Sequence, residues 1–462
     1  MLQLLGILSF TQILSLWQIS SPATLFSSAR SVINNFSYAL QLHKQPCPSV
    51  YVYDLGNDFY GEFGFNYSDY IRRGLDTREI FAKPCSVRGT YESRYHVQFE
   101  TSRIILYRLF RSKRCRLESD PSKADLFFVP LYPGPYGTIP MLRQCQKQSQ
   151  FPALRYLTQQ TLPFHFMYVN QPELKCWLGK EPISPLLEGI LRLAYGNVYR
   201  HNQTSVADRL KFNKNADNFG PFEHSTQLEH LVQDDVFAPH MVSLPFPSSV
   251  HWDKKMALED APWVSTPRVS KAPQRPRRRY LVSFTGSFRN CTYGQVRPYL
   301  EKVFRDCPTD LCATALKENE GTFQAKGQQF CSYIYLKMQS IFCVEPGGDN
   351  PWRKSFWDSL TAGCIPVIFS PYNLILAPWH WQAMAPRASV YVNATDFVNG
   401  RIDLIEMLQA IPHSKVLEMQ NVISHYGHQW QWSVDDFKND AFELTLKGVH
   451  QYAKRRSKQG RS

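Results

Sequence analysis

The stretch PGGDNPWRKSFWDSLTAGCIPVIFS (Pro346–Ser370) combines residue types that could bind an anion. Gly347 and Gly348 permit a tight turn whose backbone can approach a ligand closely. Arg353 and Lys354 follow at a predicted helix start, where unpaired N–H groups already make the site electropositive. A bound phosphate would offset the repulsion between these cations and the helix start, and a guanidinium can hold phosphate oxygens with two hydrogen bonds. The pattern therefore predicts a phosphate site.

Asp358 lies four residues after Lys354, about one helical turn further along the chain. Two roles are open for its carboxylate. It could accept hydrogen bonds from the hydroxyl groups of a ribose, or it could pair with Lys354 on the helix surface for only about 0.3–0.5 kcal/mol. The stretch contains neither a Walker lysine nor a GxGxxG pattern, so it predicts an anion site without specifying the ligand.

The elements that would position these residues form a strand, turn, helix and strand. IFCVEP (Ile341–Pro346) is predicted to be the first strand. Asn350 is expected to cap the helix and Pro351 to be its first residue. Three large apolar side chains recur at helical spacing and should face the sheet: Trp352, Phe356 and Leu360. Gly363 ends the helix, and CIPVIFS (364–370) begins the next strand.

Alternating strand and helix patterns elsewhere in the chain predict the α/β class with a parallel, doubly wound sheet. Strands are predicted at Ser49–Gly56, Leu126–Val129, Phe164–Asn170, Asp234–Pro245 and Tyr280–Gly286. Helices are predicted at Tyr91–Phe110, 151–161, Val296–Phe304 and Asp435–Tyr452. The sequence KRRSKQGRS at the end of the chain is predicted to be a solvated basic tail. Ligands of such folds bind at the carboxyl edge of the sheet, which is where the glycine turn belongs.

Length and composition predict two packed domains. The chain has 462 residues, more than one ordinary core accommodates, and 43% of them are hydrophobic. The formal net charge of +13 would suit nucleic acid, a membrane surface or an anionic substrate. Nucleic acid is disfavoured because the basic residues are scattered and no nucleic-acid-binding module is recognisable. A solvated basic surface is favoured over a dedicated polyanion site.

The first twenty residues, MLQLLGILSFTQILSLWQIS, are apolar and uncharged, as in a signal anchor or signal peptide. A buried N-terminal helix is the alternative. Five Asn-x-Ser/Thr sequons favour a secretory protein: Asn35, Asn66, Asn202, Asn290 and Asn393. Of the 11 cysteines, five precede residue 180 and six follow residue 290, and none forms a Cys-x-x-Cys pair. This distribution predicts disulfides within each half, in a type II membrane protein that faces an oxidising lumen.

The predicted organisation has six parts. These are an anchor or signal (1–20), a stem (21–46), an N-terminal domain (47–267), a Pro- and Arg-rich linker (268–279), a C-terminal domain (280–430), and a C-terminal helix with the basic tail (431–462).

The stretch Gly348–Ser370 resembles the signature of the exostosin-like glycosyltransferases. The matching residues are Gly348, Asp349, Pro351, Arg353, Phe356, Asp358, Gly363, Cys364, Ile365, Pro366 and Val367. Three other stretches resemble the family in the expected order: SVYVYDLG (Ser49–Gly56), ESDPSKADLFFVPLY (Glu118–Tyr132) and FTGSFRNCTYGQVRPYL (Phe284–Leu300). Together they cover roughly residues 48–400.

This resemblance implies a GT-B fold, with two Rossmann-like, doubly wound domains facing a cleft. The C-terminal domain would bind a nucleoside-diphosphate sugar, usually a UDP-sugar, and the N-terminal domain the acceptor. It further implies inversion at the anomeric carbon, no bound metal, a polysaccharide or glycoprotein glycan as acceptor, and residence in the Golgi membrane, with complexes among glycosyltransferases as a possibility. Arg289 and Arg353 match positions that are expected to bind the diphosphate. Asp358 matches the acidic position that is expected near the nucleoside of the donor. Gly347, Gly348 and Lys354 complete the predicted donor site.

Inversion requires one general base to take the proton of the acceptor hydroxyl. Glu100 is the first candidate and His96, one turn earlier, the second; a solvated position is the alternative for each. The chain departs from the family between Gly196 and Trp252, where KFNKNADNFGPFEHS replaces a segment that often resembles Gly-Arg-Asp-His. This departure leaves the acceptor and the base open.

Two other functions remain open besides that of an inverting transferase. A glycoside hydrolase would need two opposed carboxylates and would leave the nucleotide-type helix start without a purpose. A non-catalytic, carbohydrate-binding or scaffolding partner of an active transferase could retain Arg353 as a vestige.

Overall fold

The computed structural model describes fifteen ranges of the chain: 41–54, 83–84, 91–92, 101–130, 164–168, 190–195, 241–248, 250–254, 257–258, 261–264, 278–288, 295–316, 328–348, 353–370 and 372–459. The predicted anchor, most of the stem, the helix at 151–161 and most of the linker lie outside the described residues.

The N-terminal half contains a parallel sheet of five strands, in the order β1-β4-β5-β6-β7. The strands are β1 (Val50–Val52), β4 (Leu126–Val129), β5 (His165–Tyr168), β6 (Leu191–Ala194) and β7 (Met241–Ser243). β4, β5 and β6 are buried along their whole length, as expected for parallel strands that are covered on both faces. Each of the four strands predicted in this half contains an observed strand; the bounds match for β4, whereas β1, β5 and β7 are shorter than predicted.

A short antiparallel ribbon and one helix accompany this sheet. β2 (Lys83–Pro84) pairs with β3 (Tyr91–Glu92), and α1 spans Thr101–Arg111. The prediction of one helix from Tyr91 to Phe110 is therefore wrong at its start, because Tyr91 belongs to the ribbon. Phe110 is 38% exposed near the end of α1 and does not share the burial of Leu106.

The C-terminal half contains a second parallel sheet, in the order β12-β11-β10-β8-β9. Its strands are β8 (Tyr280–Gly286), β9 (Cys312–Leu316), β10 (Ser340–Glu345), β11 (Ile365–Ile368) and β12 (Val390–Tyr391). The chain adds β9 on one side of β8 and then places β10 on the other side, so the strand order reverses between β8 and β10. Open α/β sheets bind ligands in the crevice beyond the carboxyl ends of strands at such a reversal.

The helices of this half connect and cover the strands. They are α2 (Arg297–Asp306), α3 (Gln328–Met338), α4 (Lys354–Thr361), α5 (Tyr372–Ile375), α6 (Ala385–Ala388), α7 (Ala394–Val398), α8 (Leu404–Gln409), α9 (His413–Tyr426) and α10 (Ala441–Gln459). A short 3-10 helix occupies Gly427–Trp430 in this half, and another occupies Pro121–Lys123 in the N-terminal half. The helix predicted at Val296–Phe304 is confirmed as α2.

The C-terminal helix differs from its prediction at both ends. It begins at Ala441 rather than at Asp435, and it continues to Gln459, so most of the predicted basic tail is helical. Cations at a helix C-terminus are favoured by the macrodipole, and Arg456 also lies over the ring of Tyr452. These two interactions explain why a basic segment continues the helix.

A single cluster of buried apolar side chains includes residues of both sheets and of α10. Polar contacts join the halves as well. Arg108 of α1 forms ion pairs with Asp436 and Asp440, and Arg114 pairs with Glu443 of α10. Within the described residues, no helix combines the length and the apolar character that a membrane crossing requires.

Three disulfides lie among the described residues, and each remains within one half of the chain. Cys47 pairs with Cys115 in the N-terminal half. In the C-terminal half, Cys307 pairs with Cys312, and Cys343 of β10 pairs with Cys364 just before β11. The predicted fold class, α/β with two parallel-sheet halves, is confirmed and agrees with a GT-B architecture. The bounds of the six predicted parts of the chain stay predictions.

Candidate functional site

The glycine turn lies where the strand order reverses. β10 ends at Glu345, and Pro346, Gly347 and Gly348 follow it directly. A side chain at position 348 would be impossible without displacement, since a Cβ atom there would lie 1.9 Å from Nη1 of Arg353. The guanidinium of Arg353 is therefore packed against the backbone of Gly348. This contact places the predicted phosphate-binding arginine on the turn that the sequence associates with it.

The helix begins later than predicted. Arg353 has an extended backbone, with φ −139° and ψ 153°, and it occupies the N-cap position of α4. The prediction that Asn350 caps the helix and Pro351 begins it is therefore wrong, because a residue with these dihedral angles cannot belong to a helix. Arg353 thus lies at the electropositive end of α4 rather than within its first turn. The predicted end of the helix is confirmed, since Gly363 has the left-handed φ of +70°.

Arg297 fastens the loops beyond β8 and β10 to each other. Its Nε donates to the carbonyl oxygen of Gly347 at 2.9 Å, and its Nη1 donates to that of Ser287 at 2.6 Å. The side chain is buried, and its guanidinium lies 5.8 Å from the centroid of the Phe284 ring. Arg297 therefore holds the two loops at the point of strand reversal.

Asp358 is buried and receives hydrogen bonds from both halves of the chain. Lys354, one turn earlier in α4, approaches its Oδ1 at 2.9 Å and its Oδ2 at 2.7 Å. The hydroxyl of Ser248 donates to Oδ1 at 2.7 Å. Of the two roles open for Asp358, the ion pair with Lys354 is present, but it is mostly buried, with side chains 14% and 12% exposed. It is therefore not the weak surface pair of the sequence-based alternative.

A buried histidine stands beside this pair. Burial lowers the pKa of His251 to about 4, and the nearby charge of Lys354 acts in the same direction. Its Nδ1 donates to the carbonyl oxygen of Trp432 at 2.6 Å. His251 is therefore neutral at physiological pH and adds no cation beside the carboxylate of Asp358.

A second buried ion pair supports the base of the turn. Nζ of Lys337, in α3, lies 2.6 Å from Oε1 of Glu345, the last residue of β10. Both side chains are almost completely buried, at 2% and 3% exposure. The hydroxyls of Ser355 and Ser359 in α4 also donate to this oxygen. The network therefore fixes the end of β10 relative to the first turns of α4.

The structure brings together Gly347, Gly348, Arg353, Lys354 and Asp358 of the predicted donor site. Arg289 and the two predicted bases, Glu100 and His96, lie outside the described residues, so their roles stay predictions. Within the described ranges, no group of three or more His, Cys, Asp or Glu side chains is arranged to hold a metal ion.

Sequence reasoning missed the individual roles of Arg297, Ser248, Lys337 and Glu345. Arg297 belonged to a stretch that had been singled out, but nothing in the sequence shows that it binds main-chain carbonyls. The contact between Ser248 and Asp358 joins positions 110 residues apart, and neither residue carries a local signal for it. Glu345 could have been noticed as a carboxylate that ends an otherwise apolar strand, because a buried charge requires a partner.

The chain is similar in sequence to known proteins. Residues 200–409 match the family model described as the Exostosin GT47 domain. Xyloglucan-specific galacturonosyltransferase 1 of Arabidopsis thaliana is 28% identical over 412 residues, which is 86% of this chain and 56% of that protein. Xyloglucan galactosyltransferase MUR3 of Arabidopsis thaliana is 24% identical over 358 residues, 75% of this chain and 51% of that protein. The chain thus spans about half the length of these relatives.

A solved structure of a mutant of S. aureus TarM, in complex with UDP and other ligands, overlaps 65% of this chain and 57% of its own. The TM-score of 0.32 and the 9% identity are too low to support an argument about fold or function. The fold assignment rests instead on the two parallel sheets, and the family assignment on the matched domain and the named relatives. The resemblance to the exostosin-like glycosyltransferases that the sequence predicts is thus confirmed by the matched domain and by the named relatives.

Proposed function

We propose that this protein is an inverting glycosyltransferase that moves a sugar from a UDP-linked donor to a polysaccharide or glycan acceptor. The observation that carries the proposal is the site at the strand reversal, where the Arg353 guanidinium packs on Gly348 at the start of α4. An arginine, a glycine turn and a helix start together suit a diphosphate. The family match and the names of the relatives support the same reaction class.

The donor half would act on the leaving group. In the reaction, an oxygen of the acceptor hydroxyl bonds to the anomeric carbon of the donor sugar while the bond from that carbon to the diphosphate oxygen breaks. Negative charge then accumulates on the diphosphate, and preorganised donors near this charge lower the barrier. Arg353 and the N–H groups at the start of α4 would supply that stabilisation. Arg289 is proposed to add a second guanidinium.

The acceptor half would supply the base. Glu100, or alternatively His96, is proposed to take the proton of the acceptor hydroxyl. We propose a metal-independent reaction, because Arg353, the proposed Arg289 and the start of α4 can offset the charge of the diphosphate without a metal ion. Turnover that requires added Mn²⁺ would argue against this part of the proposal.

The relatives guide the choice of substrates to test. Both are named for xyloglucan, one as a galacturonosyltransferase and one as a galactosyltransferase. UDP-galactose and UDP-galacturonic acid are therefore the first donors to assay, with xyloglucan as the first acceptor. We expect the protein to transfer the sugar from one of these two donors to the acceptor. If neither donor is used, a wider screen of UDP-sugars follows.

We further propose that the protein is a type II membrane protein of the Golgi, anchored through its N-terminal segment. The sequons and the disulfides within each half support a secretory compartment. Other glycosyltransferases are proposed as partners there. Glycosidase sensitivity of the expressed protein and protease protection in intact vesicles test the topology, and accessibility from the cytosolic side would contradict it.

Titration calorimetry with UDP tests the donor site in the full-length protein. Replacement of Arg353 by alanine is expected to weaken UDP binding by roughly 10- to 100-fold, since a charge-assisted contact to phosphate is lost. Arg305→Ala is the matched control. The side chain of this arginine in α2 is 69% exposed, and within the described residues its ion pair is with Glu301. It should leave UDP affinity unchanged.

Three outcomes separate the candidate functions. Absence of UDP binding by the intact protein would refute the transferase. UDP binding without transfer from any UDP-sugar would favour the non-catalytic partner. Hydrolysis of a glycan without a nucleotide-sugar would favour the glycoside hydrolase.

A further inference from the structure

Ser248 lies in the segment that leads from β7 of the N-terminal sheet towards β8 of the C-terminal sheet. Its side chain is fully buried. Although it comes from the N-terminal side of the chain, its hydroxyl lies 2.7 Å from Oδ1 of Asp358 in α4. A residue of the connecting segment therefore touches the carboxylate that is predicted to serve the donor nucleoside.

The direction of this hydrogen bond follows from the chemistry of its partners. An ionised carboxylate only accepts hydrogen bonds, so the single hydroxyl proton of Ser248 points towards Asp358. The N–H of Val250 donates to Oγ of Ser248 at 3.1 Å, and the hydroxyl of Thr361 lies 2.9 Å from the same oxygen. The hydroxyl of Thr361 itself donates to the carbonyl oxygen of Trp357 at 2.8 Å, so it is the N–H of Val250 that occupies an acceptor site of the serine oxygen and leaves the serine proton for the carboxylate.

Lys354 and Ser248, which both donate to Asp358, differ in stiffness. Lys354 reaches both carboxylate oxygens from the same helix, through a flexible stem of four methylene groups. Such a cation can follow the carboxylate through several rotamers. Ser248 has one rotatable bond between its backbone and its oxygen, and that oxygen is held by its own neighbours. The serine, more than the lysine, therefore determines where Oδ1 lies.

We propose that Ser248 is a positioning residue that sets the orientation of Asp358 for binding the nucleoside of the donor. This inference rests on the proposed function and adds a coupling to it, because donor affinity then depends on how the connecting segment is seated against α4. By linkage, a bound donor would hold this segment in place with the same free energy by which the segment improves donor binding.

The chain offers a matched control in Ser243, the last residue of β7. Ser243 is also fully buried, and its Oγ accepts a hydrogen bond from the N–H of Ala377 in the C-terminal half at 2.8 Å. Replacing it by alanine removes one buried serine hydrogen bond between the halves without touching Asp358. A general loosening of the two halves would therefore affect Ser243→Ala and Ser248→Ala alike.

UDP affinity of the full-length protein is measured by calorimetry for Ser248→Ala, Ser243→Ala, Asp358→Asn and the variant with Ser248→Ala and Asp358→Asn combined. Ser248→Ala is expected to weaken UDP binding roughly tenfold, the scale of one hydrogen bond to a charged group, and Ser243→Ala less than about twofold. Since Ser248 acts through Asp358, Ser248→Ala should cause no further loss in the Asp358→Asn background.

Four results would overturn the inference. Unchanged UDP affinity in Ser248→Ala, or equal losses in both serine variants, would refute positioning while leaving the transferase intact. Additive losses in the combined variant would show that Ser248 does not act through Asp358. Failure of the intact protein to bind UDP would refute the proposed function and this inference together. Ser248→Cys, with a weakly donating thiol of similar size, replaces Ser248→Ala if the alanine variant does not fold, with the same expected weakening.

Discussion

The buried pair of Lys337 and Glu345 gives the sharpest prediction for stability. Replacing Lys337 by methionine keeps most of its apolar contacts but leaves the Glu345 carboxylate at 3% exposure, where the hydroxyls of Ser355 and Ser359 are its remaining side-chain donors among the described residues. Breaking a buried ion pair from one side costs about 3–5 kcal/mol, because the remaining charge stays desolvated. For a folding unit of 150–250 residues, this lowers the thermal midpoint by on the order of 10 °C.

The mechanism is tested by the combined variant with Lys337→Met and Glu345→Gln. Removing both charges removes the uncompensated carboxylate, and a buried ion pair contributes little compared with a neutral pair of similar volume. The combined variant should therefore recover most of the stability that Lys337→Met loses. The exposed pair of Arg305 and Glu301 is the control, since its side chains are 69% and 47% exposed and its loss should cost less than about 1 kcal/mol.

Differential scanning calorimetry of the oxidised full-length protein provides the measurement. A midpoint for Lys337→Met within about 2 °C of the intact protein would refute the reasoning, because it would mean a cost of no more than about 1 kcal/mol. A combined variant that is less stable than Lys337→Met would refute it as well. In that case the hydrogen bonds of Glu345, rather than its charge, would determine the stability of this network.

Two further predictions follow from single contacts. Gly348→Ala should weaken UDP binding about as much as Arg353→Ala, because its Cβ would displace the guanidinium. Gly400→Ala strains a left-handed backbone (φ +69°), but its Cβ would meet nothing within 4 Å, so it should lower stability without changing UDP affinity. Equal UDP affinity for Gly348→Ala and the intact protein would contradict the contact between Gly348 and Arg353. Burial lowers the pKa of His380 and of His428 to about 3, below the unfolded value of about 6.5. Below pH 6.5 the unfolded chain therefore binds more protons than the folded protein, and the free energy of unfolding should fall by about 2 kcal/mol per histidine on reaching pH 5. A thermal midpoint that stays constant between pH 7.5 and pH 5 would contradict these lowered pKa values. A steeper fall of the midpoint in His380→Gln than in the intact protein would contradict them as well.

Strand positions were predictable where local sequence alone determines them. Leu126–Val129 and Tyr280–Gly286 are confirmed residue by residue as β4 and β8, since each is an apolar or β-branched run bounded by turn residues. β4 is buried along its whole length, and β8 is buried from Val282 to Thr285. The end of α4 at Gly363 was equally local, because it depends on the left-handed backbone conformation that glycine permits.

The helix start was not predictable in the same way. Asn350 and Pro351 are good residues for a cap and a first turn, yet Arg353 is extended and α4 begins after it. Helix propensity at these positions amounts to tenths of a kcal/mol per residue. The packing of Arg353 on Gly348 is a tertiary contact that sequence spacing cannot express, and such contacts routinely outweigh propensity. For the same reason, the sequence could not show that Arg297 binds the carbonyl oxygens on either side of the strand reversal.

The two cations after the glycine turn have different tasks, and their contacts explain why both are tolerated at a helix start. The charge of Lys354 is offset within the protein by Asp358, at 2.7 Å and mostly out of solvent. Arg353 instead lies on the turn, beside N–H groups that carry the positive end of the α4 dipole. An anion at this turn would therefore meet one guanidinium and one helix start, while Lys354 and Ser248 hold the carboxylate of Asp358 in place. The carboxylate remains able to accept hydrogen bonds from a nucleoside, because an ionised carboxylate has about four acceptor sites. The ion pair and the ribose contact, which the sequence presented as alternatives for Asp358, are thus compatible in one site.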